Sequence, residues 1–583
     1  MKRNLYVLFS LLILGSIVLA ACGGAAPTEA PAATEPPAAA TEPPAAATEP
    51  PTAAATEPAA AFEALAAVEA PDCNYGGNVK SVEAVDQYTV KFTFCNPDPA
   101  FIAKIASVDA FNIYDSDYLT ETGGDAVKMN ENPVGTGPYI LSEWVRGDHM
   151  TFTPNPNYFG EKPVNDTFII KWNKEAAARL LDLQSGNVSG ISEVTSDDLP
   201  TIEADPNLKL YPRKVNNFLY LGINNTKPPF DNEQVRQAFA MAIDRQKIVD
   251  DFYAPGSVAA TQFVPEGVKP GYTDGFTAFT YDPEKAKQML TDAGFDFNKE
   301  YTLSYAERTR PYFPQPTKIA QAVQAQLAEI GVKVKLSMDE WATYLPATRA
   351  GEKELFFLGW SEDFPDATNW FDVFLTGTSK SFGDPFPDIV EPIQKAAKSS
   401  DPVERQALYD EVNKLYAQHV PTITIANGTT NLAFLASVGN VVIGPYNENF
   451  PQMTTPDGTL VFSQDGEPVS LMCSDETDGS SFRVCNQIFS KLYSFEWGTA
   501  NPKPDLAESC TGNEDATEWT CTLKQGVTFS NGATFDANDV VATMSAGLDF
   551  NSPLRKGNTG TYQYFKDLLL QSATAINEPP AAQ

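Results

Sequence analysis

The chain has 583 residues, of which 43% are hydrophobic and 20% charged, and this is enough for two or more domains with substantial cores. Its 75 acidic residues outnumber 41 basic ones and give a formal net charge of −34. This charge argues against binding of nucleic acid or an anionic membrane through a broad basic face, and it is typical of a soluble, self-repelling surface.

The first residues have the pattern of an export signal. Lys2 and Arg3 give a positive start, and residues 5–18 form an apolar core that is short for a membrane span. Residues 1–21 are therefore predicted to be a secretory signal peptide. The run Leu-Ala-Ala before Cys22, followed by two glycines, resembles a bacterial lipobox, which predicts cleavage before Cys22 and its lipidation. The alternative is a plain signal peptide with an incidental cysteine.

Low-complexity sequence follows the signal. A Thr-Glu-Pro unit recurs from Thr34 to Pro58, and this composition offers no large side chains for a core. Proline favours extended polyproline geometry. Residues 22–72 are therefore predicted to be a tether. The expected product is exported and anchored by lipid to the outer face of the cell membrane, in the periplasm or at the cell surface.

The middle of the chain alternates strands with helices. Residues 175–183 and residues 235–243 carry apolar side chains at helical spacing, and each stretch predicts a helix. A third helix is predicted over residues 319–330. Gly331 supplies its C-terminal stop, and residues 332–336 alternate as a strand. These elements predict mixed α/β layers with several sheets.

Near the C-terminus, residues 526–547 read GVTFSNGATFDANDVVATMSAG. This stretch predicts a strand, a tight turn at Ser-Asn-Gly and the start of a helix. Asp536 is the expected N-cap, and Asp539 stands in the capping-box position.

Six cysteines follow Cys22, and an even number in an exported chain predicts disulfides. The sequence alone does not fix the connectivity, and we predict that neighbours pair. The expected bonds are Cys73–Cys95, Cys473–Cys485 and Cys510–Cys521. A metal site is the alternative, but the chain has no C-x-x-C pair and only two histidines.

Six stretches together resemble family 5 extracellular solute-binding proteins, the peptide/nickel receptors of ABC importers. They begin PVGTGPY, PPFDNEQ, YDPEKAK, IAQAVQA, FLGWSED and GVTFSNG, and they occupy residues 133–163, 228–249, 281–295, 319–336, 357–366 and 526–541. The resemblance covers nearly everything from about residue 75 to 570. It implies an α/β fold of the class C periplasmic-binding type, in which two lobes with mixed sheets close about a hinge over a ligand and present a surface to a membrane permease.

The order of these stretches departs from that of the family. Residues 457–570 resemble a region that comes first in the family, and moving them ahead of residues 75–455 restores the family order with each motif present once. We interpret the chain as a circular permutation, with the new ends opened between Leu570 and Tyr75, which should then lie close together. Two misassembled gene fragments are the alternative. Lobe I is expected to comprise residues 73–235 and 430–583, and lobe II residues 236–429.

The resemblance also implies ligand-binding residues. In peptide-binding members, the aspartate three residues after the GW tryptophan pairs with the α-amino group of the ligand, and this position is Asp363. A buried ammonium needs such a counter-charge. Gly359, Trp360 and Ser361 resemble the family's further contacts, and Trp341 matches an aromatic residue that lines side-chain pockets. Ordinary loop and core roles are the alternatives.

Two departures leave the ligand open. Some relatives carry an arginine for the ligand's carboxylate three residues before the GW tryptophan; here Phe357 occupies this position and Arg349 is displaced in register. An aromatic cleft would also suit a sugar, so an oligosaccharide is the alternative to a peptide. His149 and His419 are isolated, which argues against nickel, and no metal or cofactor is predicted.

The resemblance therefore implies a receptor, expected to be a monomer, that captures peptides and delivers them to ABC permease subunits. A surface enzyme has weak support, because no H-E-x-x-H, G-x-S-x-G or Walker motif occurs. A third possibility is a sensor or adhesive protein that uses the same fold without a transporter.

Overall fold

The computed structural model describes residues 62–377, 379–555, 562–571, 573 and 575–577. The predicted signal peptide, Cys22 and most of the predicted tether lie outside these residues. Among the helices of the described part, none is long and apolar enough to cross a membrane.

Strands and helices alternate along the described part of the chain. The strands are β1 (Val68–Glu69), β2 (Val79–Asp86), β3 (Thr89–Phe94), β4 (Tyr139–Val145), β5 (His149–Pro154), β6 (Thr167–Trp172), β7 (Gly190–Ile191), β8 (Leu208–Lys214), β9 (Asn217–Ile223), β10 (Val258–Ala259), β11 (Glu300–Ala306), β12 (Lys333–Asp339), β13 (Leu355–Ser361), β14 (Thr422–Asn427), β15 (Thr429–Leu435), β16 (Thr459–Gln464), β17 (Tyr493–Phe495), β18 (Pro502–Pro504), β19 (Ala507–Gly512) and β20 (Glu518–Leu523). The helices are α1 (Phe101–Ser107), α2 (Ser116–Thr122), α3 (Ala126–Glu131), α4 (Ala176–Gln184), α5 (Leu199–Ala204), α6 (Glu233–Met241), α7 (Arg245–Phe252), α8 (Pro283–Asp292), α9 (Pro316–Glu329), α10 (Trp341–Arg349), α11 (Phe371–Leu375), α12 (Pro387–Ala396), α13 (Pro402–His419), α14 (Gly479–Ile488) and α15 (Ala537–Leu548).

Three larger sheets carry most of these strands. The first has the order β1-β2-β3-β20-β19 and is antiparallel. The second is mixed and has the order β4-β5-β6-β16-β7-β15-β8, and the third, also mixed, has the order β10-β14-β9-β13-β11-β12. This confirms the predicted α/β class with mixed sheets.

Two large hydrophobic cores mark two lobes in the described chain, and a third, smaller core packs α4 and α5 against the second sheet. One large core joins the first and second sheets, and the other surrounds the third sheet. We call the first body lobe I and the second lobe II. Lobe II is one continuous stretch, with its strands between Asn217 and Asn427, whereas lobe I takes strands from both sides of it.

The predicted boundary between residues 235 and 236 needs a correction. The predicted boundary assigns strand β9 to lobe I, but β9 is a central strand of the third sheet and lies between β13 and β14. All seven of its residues are buried, as expected of a strand with both faces covered. The chain therefore crosses into lobe II at residues 215–216. It returns at Gly428, close to the predicted boundary after residue 429.

Side-chain amides hold the two crossings together. Asn217 donates from Nδ2 to the carbonyl of Gly428 at 2.9 Å, and its Oδ1 accepts the Gly428 N–H at 2.8 Å. Asn427 donates from Nδ2 to the carbonyl of Asn217 at 2.6 Å. A β-carbon at Gly428 would stand 1.9 Å from the carbonyl oxygen of Pro311, so only glycine fits at this crossing.

The helices predicted from periodicity are confirmed. The stretch 175–183 forms α4, the stretch 235–243 overlaps α6, and the stretch 319–330 overlaps α9. Gly331 follows α9 with a φ of +90°, a conformation that favours glycine, and β12 begins two residues later.

The C-terminal stretch folds nearly as predicted. The side chains of Asp536 and Asp539 form the expected capping box at the start of α15. The predicted strand at the start of this stretch is reduced to one isolated bridge between Thr528 and Thr534. The segment folds back on itself at the turn, and its two sides pair only at this bridge.

The residues after 457 are built into lobe I. Strand β16 runs parallel to β6 in the second sheet, and β20 pairs with β3 in the first. The backbone N–H of Asn78 donates to the carbonyl of Leu570 at 3.2 Å, so the two predicted new ends lie close together.

The end of the predicted tether also needs a correction. Strand β1 lies within the predicted range of 22–72 and pairs with β2, and Val68 and Ala70 are buried. The Thr-Glu-Pro units end at Pro58, and the apolar residues beyond them can join the core of lobe I.

Three disulfides lie in lobe I. They join Cys73 to Cys95, Cys473 to Cys485 and Cys510 to Cys521, which are the predicted neighbour pairs. The Cys510–Cys521 bond links residues directly opposite each other on β19 and β20.

Candidate functional site

A cavity of about 420 Å³ lies where a loop of lobe II meets lobe I. We call it the central cavity. Lobe II contributes Glu362 and Asp363, which follow β13. Lobe I contributes the rest of the lining: Ser107, Val108, Asp109, Glu193, Arg213, Pro445, Tyr446, Asn447, Glu448, Asp465, Asp478, Gly479, Ser480, Phe482, Arg483, Asn486 and Tyr564. Because both lobes supply walls, relative movement of the lobes would open or close this cavity.

Asp363 is held at the cavity wall by Asn369. The Asp363 N–H donates to Asn369 Oδ1 at 2.9 Å, and Asn369 donates from Nδ2 to Asp363 Oδ2 at 3.3 Å. Partial removal from water raises the pKa of Asp363, and the hydrogen bond from Asn369 opposes this rise. The loop thus presents a carboxylate whose position is set and whose side chain is still exposed to the cavity.

Glu362, the neighbouring residue, ties the two lobes together. Its Oε1 accepts a hydrogen bond from the Tyr446 hydroxyl of lobe I and one from Asn216 Nδ2 at the crossing, the latter at 2.5 Å. Its Oε2 accepts from Trp370 Nε1 at 3.1 Å. Burial raises the pKa of Glu362 from 4.5 to about 8, although these three donors oppose the rise.

This shift predicts a pH dependence of stability. Between pH 4.5 and about 8 the folded state keeps a proton on Glu362 that the unfolded chain releases, so the free energy of unfolding should fall as pH rises through this window. Glu362→Gln has no proton to lose at this position. We therefore expect its free energy of unfolding, measured by urea denaturation, to fall less between pH 5 and 8 than that of wild type. Burial also raises the pKa values of Asp372 and Asp539 to about 7. Both residues are present in wild type and in the variant, so they add the same pH dependence to the free energy of unfolding of each protein.

The matched control is Glu391→Gln. Glu391 is exposed, and its hydrogen bond with Lys395 lowers its pKa. Removal of this carboxylate should therefore leave the fall in the free energy of unfolding between pH 5 and 8 unchanged. Equal slopes for wild type and Glu362→Gln would contradict the assignment of the shift to Glu362.

Two arginines share one buried carboxylate on the lobe I wall. Arg483 donates from Nε to Glu448 Oε1 at 3.1 Å, and Arg213 donates to the same oxygen. Burial of Glu448 would raise its pKa, but the two guanidinium groups hold the pKa below its ordinary value. Sequence reasoning missed this cluster, because its members are up to 270 residues apart and no motif connects them.

Trp360 and Gly359 do not line the central cavity. The Trp360 indole packs edge-on against Phe374 at 5.6 Å between ring centroids and donates from Nε1 to Asn369 Oδ1 at 3.1 Å. It thereby helps to fix the residue that holds Asp363. Gly359 lies under Tyr312, where a β-carbon would stand 2.3 Å from the ring.

Ser361 and Trp341 also lie outside the lining of the central cavity. Ser361 is exposed at the end of β13, and Trp341 begins α10, where the Arg308 guanidinium lies 4.7 Å from its ring centroid. The contact of these two residues, and of Trp360 and Gly359, with a ligand stays a prediction.

The other residues considered from sequence lie away from this cavity. Phe357 is buried in the core of lobe II. His419 lies between Glu233 and Asp388, with ring nitrogens 2.6 and 2.7 Å from their carboxylates, and His149 lies 2.9 Å from Asp148.

Comparison with known proteins identifies the family. The model of the family described as bacterial extracellular solute-binding proteins, family 5 Middle, matches residues 28–382 and 501–579. The di/tripeptide-binding protein 3 of Pseudomonas aeruginosa (strain UCBPP-PA14) is 31% identical over 389 residues, which are 65% of this chain and 72% of that protein. The heme-binding protein A of Haemophilus influenzae is 28% identical over 374 residues, which are 63% of this chain and 68% of that protein.

Solved structures agree with this match. The structure of HbpA2 from Haemophilus parasuis is 30% identical and superimposes with a TM-score of 0.61, covering 66% of this chain and 76% of that one. The unliganded open form of the periplasmic murein tripeptide-binding protein MppA, at 21% identity and a TM-score of 0.53, shares the fold over 65% of this chain and 72% of its own. The protein therefore belongs to family 5 of the bacterial extracellular solute-binding proteins.

Proposed function

We propose that this protein is the substrate-binding receptor of an ABC importer, which captures peptides between its lobes and delivers them to a membrane permease. The observation that carries the proposal is the position of Asp363, a carboxylate of lobe II that faces a cavity whose other wall is lobe I. Relatives named as di/tripeptide-binding and dipeptide-binding proteins support a peptide as the ligand. The amino terminus of the peptide would pair with Asp363 when the lobes close.

The charge of the central cavity supports a ligand with an ammonium group. Seven carboxyl side chains and two arginines line it. Glu448 is paired with the arginines and Asp478 caps α14, whereas Asp363 forms no ion pair with any described residue. A neutral oligosaccharide would gain nothing from this excess of negative charge, so a peptide is favoured over the sugar.

The protein is proposed to act by binding alone. The relatives carry the names of binding proteins. A peptide recovered unchanged after binding is the outcome expected of a receptor, and cleavage of the peptide would indicate an enzyme.

We further propose that the chain is circularly permuted and is anchored through a lipid on Cys22. The permutation is supported by the pairing of β16 with β6 and of β20 with β3, and by the contact between Leu570 and Asn78. Lobe I then comprises the described residues before 215 and after 428, and lobe II comprises residues 217–427.

A thermal-shift panel tests the proposed function. Ligands that bind the folded state raise its melting temperature, by an amount that grows with ligand concentration over Kd. We expect dipeptides and tripeptides with a free amino terminus to stabilise the protein and their N-acetylated forms to do so far less. Heme and a set of oligosaccharides complete the panel. A shift with either of these and none with any peptide would overturn the peptide assignment.

A further inference from the structure

A second cavity, of about 390 Å³, lies in lobe I beside the central cavity. Tyr446, Asn447 and Asn486 line both cavities, so the two cavities adjoin each other at these residues. We call it the lysine cavity, because Lys491, Lys503 and Lys524 lie in its wall. The central cavity, in contrast, has no lysine in its lining.

Two of the three lysines form no direct ion pair within the described part of the chain. Lys491 is buried and pairs with Asp109 at 2.8 Å. Lys503 and Lys524 are half-buried, and neither forms an ion pair with any described residue. In a chain with a net charge of −34, three ammonium groups in the wall of one pocket are an exception that packing alone does not require.

Aromatic rings hold these two ammonium groups in place. Lys503 Nζ lies 5.4 Å from the ring centroid of Trp497, and Lys524 Nζ lies 5.0 Å from that of Phe159. A cation over a ring face is attracted by the ring quadrupole, but it keeps its hydrogen-bond donors free. Trp497 keeps 37% of its surface exposed at the wall of the cavity. The pocket thus offers donors and an apolar wall together.

The wall also contains carboxyl groups, which limit its positive charge. Asp505 accepts a hydrogen bond from the Lys491 N–H at 3.3 Å. Burial raises the pKa of Asp505, and the three lysines nearby oppose the rise, which places their charges close to this carboxyl group. Glu161 is the other acidic residue in the lining.

We infer that the lysine cavity binds a carboxylate of the ligand through Lys503 and Lys524, while the ligand's ammonium lies at Asp363 in the central cavity. This inference rests on the proposed function. The carboxylate is either the C-terminus of a short peptide or an acidic side chain. The pocket would supply the recognition that the resemblance assigns to an arginine at the position of Phe357, whose side chain lies in the core of lobe II.

Isothermal titration calorimetry with matched peptides tests the inference and separates the two sources of the carboxylate. The first arm compares Ala-Ala with its C-terminal amide, and the second compares Ala-Glu amide with Ala-Gln amide. We expect wild type to prefer the carboxylate by roughly tenfold or more in one of the arms, because a charge-assisted hydrogen bond is lost with it. The double variant Lys503→Gln/Lys524→Gln should lose this preference and keep its affinity for the uncharged peptide.

The matched control is Lys209→Gln. Lys209 is also a lobe I lysine over an aromatic ring, with Nζ 4.8 Å from the ring centroid of Tyr211, but it lies outside both cavities. It should keep the full preference. Equal binding of acid and amide by wild type in both arms, or a preference that survives in the double variant, would overturn the inference while leaving the receptor function standing. Failure of every peptide to bind wild type would overturn the proposed function, and this inference with it.

Discussion

Replacement of Asp363 by asparagine should weaken binding of a peptide with a free amino terminus by roughly a hundredfold or more. The ammonium group would then lie in a closed cavity without its counter-charge, and its desolvation would no longer be offset. Asparagine keeps the size of the side chain and can still accept the hydrogen bond from Asn369, so the loop should keep its shape. Titration calorimetry of both proteins with the same peptide measures the loss.

Two controls separate this charge from the general acidity of the cavity. Asp465→Asn changes a carboxylate on the lobe I wall that accepts a hydrogen bond from Ser480, and it should lower affinity far less. An N-acetylated peptide should bind wild type and Asp363→Asn about equally weakly, because the two changes remove the same interaction. An affinity for the free peptide that does not change in Asp363→Asn would remove this residue from the site.

Replacement of Arg405 by methionine should lower the free energy of unfolding by about 3–5 kcal/mol. Arg405 on α13 donates to both carboxylate oxygens of Asp366 at 2.9 and 2.6 Å, and both side chains are at most 4% exposed. Burial alone would raise the pKa of Asp366, but Arg405 lowers it. Without the guanidinium, an uncompensated carboxylate would remain in the interior, and urea denaturation at neutral pH measures its cost.

The control is an ion pair of the same type on the surface. Lys395→Met removes the partner of Glu391 at 2.8 Å, and because both side chains are exposed this change should lower the free energy of unfolding far less than Arg405→Met. Equal losses in the free energy of unfolding for the two variants would contradict the role of burial.

Asp366 follows Asp363 by three residues, so Arg405→Met should also weaken peptide binding by loosening the loop.

The elements that sequence predicted well have local signals. The helix α9 carries apolar residues at helical spacing and ends before Gly331. The capping box of α15 lies within the four residues that begin with Asp536. The hairpin of β19 and β20 places Cys510 opposite Cys521, so the disulfide pairing was also a local feature. Where all the residues that determine an element lie in one short stretch, the sequence is sufficient to predict that element.

The features that were missed depend on contacts between distant residues. The predicted boundary of lobe II falls after β9, because a short apolar run does not show which of two sheets it will join. The central cavity brings Arg213, Glu448 and Arg483 together from three separate regions, and nothing in any of these regions indicates the cluster. Of the ligand-binding residues that the resemblance implies, Asp363 alone lines the central cavity, and its contact with a ligand stays a prediction.

The continuity of lobe II has a consequence for the order of folding. Its strands all lie between Asn217 and Asn427, so its core can form while later residues are still being synthesised or exported. Lobe I cannot do the same, because β3 pairs with β20 and β6 pairs with β16, and both partners come late in the chain. Until the last part of the chain emerges, the early strands keep an unpaired edge, which is the state most open to aggregation and to chaperones.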